Sequence, residues 1–136
     1  MLAVLLLAMV LYGLWYALLR TPSTPDGYDF PHHSLSGGPD ALYEGTLLES
    51  EGCVVTEAGD TVVWPGGYWL ELRSDGSLAV HGDGREVAVG DAVRLGGGYY
   101  DRDGLLGIGA TEATEAGCPE GTDGYFLTTG WGDEAD

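Results

Sequence analysis

The stretch Tyr68-Trp69-Leu70-Glu71-Leu72-Arg73-Ser74-Asp75-Gly76-Ser77-Leu78-Ala79-Val80-His81-Gly82-Asp83-Gly84-Arg85 decides the fold class of this chain. Apolar and polar residues alternate from Tyr68 to Arg73, which sets Tyr68, Leu70 and Leu72 on one face of a strand and Trp69, Glu71 and Arg73 on the other. One face is expected in a core and the other in water. Ser74-Asp75-Gly76 then turns the chain into a second strand, Ser77 to His81, with Leu78 and Val80 pointing one way. Asp83-Gly84 turns it again into Arg85 to Val89. Asp-Gly between alternating segments is a strong hairpin signal, because the tight turn needs residues that accept positive φ. Turn chemistry therefore accounts for Asp75 and Asp83 better than calcium ligation does.

Working outward, short strands are expected at Tyr43–Leu48, with Gly45 allowing a bend, at Cys53–Glu57 and at Thr61–Trp64, each closed by Gly, Pro or Asp. Toward the C-terminus, Gly90-Asp91 reads as a turn from which the alternating Val93 and Leu95 enter the core, Leu105 to Ile108 and Tyr125 to Thr129 read as strands, and Ala110 to Ala116 as the one short helical turn. Gly96-Gly97-Gly98 invites a phosphate-cradling loop, but that needs a helix N-terminus after the glycines, and Tyr99, Tyr100 and an acidic turn follow. Asp101, Asp103 and Gly104 resemble the start of a calcium loop whose third acidic position and closing Glu are missing, so another turn is expected. The predicted fold is mainly β, a small OB-like or SH3-like barrel or sandwich over residues 41–129.

Residues 1–19 are of a different kind. They carry no side chain that is charged at neutral pH, and as a helix they extend about 28 Å, close to the hydrocarbon thickness of a bilayer. Tyr12, Trp15 and Tyr16 gather toward the end, where rings favour the headgroup layer, and Arg20 follows. A single N-terminal transmembrane helix is expected. A cleaved secretory signal is the competing reading, weakened by the lack of a basic start and of an A-x-A site. Arg20 alone favours a cytoplasmic C-terminus. The cysteine pair, the absence of Lys and the Gly-rich character favour an extracytoplasmic domain, which is the localisation expected. Residues 20–40, with Pro22, Pro25, Pro31 and Pro39, read as a flexible linker, in which His32 and His33 are a solvated pair rather than a metal site. Residues 130–136 read as an acidic tail, with Trp131 docked.

The chain has 22 acidic residues against five Arg and no Lys, a net charge of -17. Such a surface repels phosphate backbones, so nucleic acid is excluded as a partner. Cys53 and Cys118 are the only cysteines. Outside the cytoplasm they are expected to form a structural disulfide, which closes a long loop and adds about 4 kcal/mol in the chain-entropy model.

The pattern Gly52-Cys53, Val63-Trp64-Pro65-Gly66, Ser74-Asp75-Gly76, Val89-Gly90-Asp91, Leu95-Gly96-Gly97-Gly98 and Cys118-Pro119 resembles a small β-barrel domain of exported or membrane-anchored bacterial proteins, mostly from high-GC actinobacteria. The likeness covers about Tyr43 to Thr129. Its motifs mark a fold, so the resemblance implies a barrel outside the membrane and carries no activity over.

The function expected is a membrane-tethered structural or protein-interaction module of the cell envelope, with the bilayer as one partner through residues 1–19 and an envelope protein as another. The alternative is a binding domain for a glycan or small envelope ligand, with Trp69, Tyr99 and Tyr100 as a stacking platform. An enzyme is not expected. No G-x-S-x-G, H-E-x-x-H or Walker run is present, no cofactor or metal is implied, and the scattered carboxylates identify no catalytic pair.

Overall fold

The computed structural model describes residues 2–19, 23–35 and 41–132. A helix, α1 (Leu2–Leu19), is followed by ten strands and two short helices. They are β1 (His32–His33), β2 (Ala41–Thr46), β3 (Leu48–Ser50), β4 (Cys53–Val55), β5 (Thr61–Pro65), β6 (Trp69–Leu72), β7 (Leu78–Gly82), β8 (Arg85–Ala88), β9 (Ala92–Tyr100), α2 (Arg102–Ile108), α3 (Glu112–Glu115) and β10 (Tyr125–Trp131). The mainly β class is as expected. The strands form a curled half-barrel sheet in the order β2-β9-β10-β5-β4-β3, with β1 beside β5, and a second sheet β6-β7-β8.

Thr61-Val62-Val63-Trp64 is buried along its whole length, so β5 is covered on both faces. Val62 and Trp64 enter the main core with Phe126, Val54 and Leu70, while Val63 points the other way, to Leu105, Ala113, Tyr125 and Leu127. α2 and α3 supply that second cover, and the Cys53–Cys118 disulfide pins it to β4, with Cα atoms 5.9 Å apart.

Leu105 to Ile108, expected as a strand, is the end of α2. The Asp101 side chain accepts a bond from the Gly104 N–H at 2.6 Å, and Gly109 closes the helix in the left-handed conformation. Those two caps outweigh an apolar run too short to fix its own period. Thus Asp101 is a helix cap, where a turn was expected. The triple glycine lies inside β9. Gly97, at φ 150, is where β9 crosses closest to the Leu127 carbonyl of β10, next to a register shift between Thr128 and Gly130.

The flexible linker expected over residues 20–40 is corrected for its described middle. Phe30 is buried and stacked on Trp64, and β1 runs parallel to β5 with Trp64 N–H donating to Pro31 O at 2.9 Å. His33 Nε2 donates to Thr128 O at 2.6 Å and its Nδ1 accepts from the Leu35 N–H at 3.2 Å. His32 Nε2 donates to Tyr68 O at 2.7 Å. The two histidines are therefore pieces of the fold instead of a solvated pair. Residues 36–40 lie outside the described residues, as do 1, 20–22 and 133–136, which include most of the expected tail.

α1 stands where the anchor was expected. Its described side chains, which end at Trp15, are all exposed, from 77% at Leu2 to 57% at Leu11 among the large apolar ones. Among the described residues, no helix is long and apolar enough to cross a membrane.

Candidate functional site

The outer face of the β6-β7-β8 sheet gathers the polar side chains that the alternation of β6 predicts. Register sets Trp69 opposite His81, and His81 opposite Glu86, with Glu71 two residues along β6 on the same side. Leu70, Val80 and Val87 point inward to the core. Leu72 departs from the expected pattern: it is 45% exposed at the end of β6, beyond the reach of the core.

On this face the Trp69 indole and the His81 imidazole lie parallel, with centroids 4.0 Å apart and planes inclined by 6°. His81 Nε2 donates to Glu71 Oε1 at 2.9 Å and stands 4.0 Å from Glu86 Oε1. Arg73 closes the cluster, with Nε 3.4 Å from Glu71 Oε1 and Nη2 on Glu86 Oε1. The bond from His81 is the main cause that holds the Glu71 carboxyl below its ordinary range, with Arg73 adding to it.

A shallow groove of about 380 Å³ runs from this cluster over the hairpin turn, lined by Gly67, Trp69, His81, Asp83, Arg85 and Glu86 among others. Asp83 and Gly84 both have positive φ, as a two-residue Asp-Gly turn requires. The floor of the turn is fixed from inside. Tyr68 Oη donates to Asp83 Oδ2 at 2.6 Å, and Trp131 Nε1 donates to Gly82 O at 2.8 Å, while the Arg85 guanidinium lies 5.5 Å from the Trp131 ring centre. Trp131 is docked, as expected, and it ties the end of β10 to the second sheet. Burial, then the bond to Asp83, pushes the Tyr68 hydroxyl far above its ordinary range.

Of the residues proposed as a stacking platform, only Trp69 lines this groove. Tyr99 and Tyr100 end β9 in the other sheet. Tyr99 is 41% exposed, edge-on to Phe126, and burial followed by Asp60 and Asp123 raises its hydroxyl. Tyr100 packs on the cluster around the disulfide. What sequence reasoning missed is the company of Trp69: that Glu71, His81 and Glu86 meet is set by the register of three strands. The two Asp-Gly turns carried the signal, since they fix the pairing of β7 with its neighbours.

Compared with known proteins, the chain matches no family, no curated protein and no solved structure.

Proposed function

We propose that the chain is a membrane-tethered, extracytoplasmic interaction module of the cell envelope, in which α1 enters the bilayer and the barrel-like domain presents its acidic surface to a protein partner. The observation that carries this reading is α1 itself: Leu2–Leu19 holds no residue that is charged at neutral pH, and its described side chains are exposed on every side. Apolar surface left in water costs about 25 cal/mol per Å², so such a helix needs lipid around it. The disulfide fits an oxidising compartment. The proposal is tested by thiol labelling of intact and lysed cells, with and without reductant, on membrane and soluble fractions. Membrane-bound chain labelled in intact cells only after reduction supports it. Chain in the soluble fraction, or labelled without reductant only after lysis, overturns it.

A second reading, a glycan or other polyhydroxylic ligand in the Trp69 groove, is favoured by the polar rim of Asp83, Arg85 and Glu86 around a half-buried indole. It replaces the platform of three rings with one ring and its neighbours. Co-sedimentation with envelope polysaccharide that is lost in Trp69→Ala supports it, and equal sedimentation of both forms rejects it.

A further inference from the structure

The cluster beside the groove has the composition of a metal site. Glu71, His81 and Glu86 come from three adjacent strands, and their nearest donor atoms all lie within 4.8 Å of one another. In a tetrahedral zinc site with bonds of about 2.1 Å the donors stand about 3.4 Å apart. The separations from His81 Nε2, 2.9 Å to Glu71 and 4.0 Å to Glu86, fall on either side of that value. Small rotations of exposed carboxylates would equalise them.

His81 also differs from the other two histidines. His32 and His33 each donate Nε2 to a backbone carbonyl. His81 turns its Nε2 toward carboxylates and is held in plane by Trp69, so its nitrogen is directed at the place a cation would occupy. Arg73 now supplies the positive charge there. Ion pairs between partly exposed groups contribute little, so the guanidinium is a replaceable occupant.

We propose that Glu71, His81 and Glu86 bind a divalent transition-metal ion of the zinc class, with water completing the coordination, and that Arg73 is the internal cation it displaces. Binding shifts the imidazole proton from Nε2 to Nδ1 and leaves the Nε2 lone pair for the metal. A nitrogen donor beside two carboxylates selects zinc, nickel or copper over calcium and magnesium. The net charge of -17 raises the local concentration of any cation.

The test is calorimetric titration of Zn²⁺ into the tag-free full chain in detergent micelles, with circular dichroism as the check on folding. The expected result is one saturable site. His81→Gln weakens it about tenfold or more, and Arg73→Gln tightens it severalfold, because the competing charge is gone. Glu115→Gln, an acidic change elsewhere, leaves it unchanged. If His81→Gln does not fold, Glu71→Gln, a partly exposed ligand, takes its place with the same expected loss. The proposal is overturned by a wild-type chain with no saturable uptake at about 100 µM Zn²⁺, by an affinity indifferent to the ligand variants, or by an Arg73→Gln chain that binds no more tightly.

Discussion

The ring of Phe30 lies nearly parallel to that of Trp64, centroids 5.4 Å apart and planes inclined by 12°. This contact makes the segment before the barrel part of its core, since both residues are buried. Phe30→Ala should therefore lower unfolding stability by about 3 kcal/mol, the cost of emptying a packed aromatic site. Urea denaturation of the full chain in micelles measures it. A loss below about 1 kcal/mol would show that the segment docks without supporting the fold.

The disulfide encloses a sequence separation of 65 residues. Constraining a loop of that length stabilises by about 4 kcal/mol in the chain-entropy model, a large share of a small domain's stability. Cys53→Ser with Cys118→Ser, or reduction of the native chain, should lower the denaturation midpoint strongly and loosen the cover made by α2 and α3 first. Hydrogen exchange in α2 reads the second effect; protection that survives reduction unchanged would contradict it.

Two glycines separate space from conformation. At Gly97 an added Cβ meets the Leu127 carbonyl and Thr128 backbone, and φ is 150. Gly97→Ala should destabilise by about 3 kcal/mol. At Gly107, inside α2, a Cβ meets nothing within 4 Å, and Gly107→Ala should stabilise by about 0.5 to 1 kcal/mol through helix propensity. Urea midpoints that move the same way in both variants would refute the account of β9.

Tyr68 sets an alkaline limit. Its ionisation in the folded chain is raised well above the ordinary value of 10.0, by burial first and then by its bond to Asp83. A raised folded pKa favours the neutral form, so the contribution is complete below pH 10 and is lost as pH rises above it. Tyr43, Tyr99 and Tyr125 shift in the same direction, with burial as the first cause in each. Tyrosinate absorbance should therefore rise in two stages, the second coinciding with unfolding. Tyr68→Phe should move that second stage to higher pH, and an unmoved stage would remove Tyr68 from the explanation.

The parts legible in the sequence are those where local chemistry and tertiary context agree. Alternation in β6 and the Asp-Gly turns placed the second sheet, and the polar side of β6 placed Trp69, Glu71 and Arg73 on the candidate face. α2 was not among them: Asp101 reads as a turn, and its role as a cap, with Gly109 closing the helix, appears only in the structure. The intervening Leu-Leu-Gly-Ile suggested a strand because four apolar residues fit either period. β1 was not legible, since two residues after Pro31 have no pattern, and only β5 and Phe30's contact with Trp64 give them a place. The half-barrel's strand order was also beyond local reading, because parallel pairing of β10 with β5 joins residues more than sixty positions apart.

Among the described residues, the first backbone bond from this leading segment to the barrel is Asp29 N–H to Gly52 O, at 2.8 Å. Between it and Leu19 the chain can stretch at most about 35 Å, near half the leash that a free segment up to residue 40 would allow. On the proposed reading, with α1 held in lipid, that shorter leash would keep the domain within a thin layer above the lipid, and a partner would have to come down to it there.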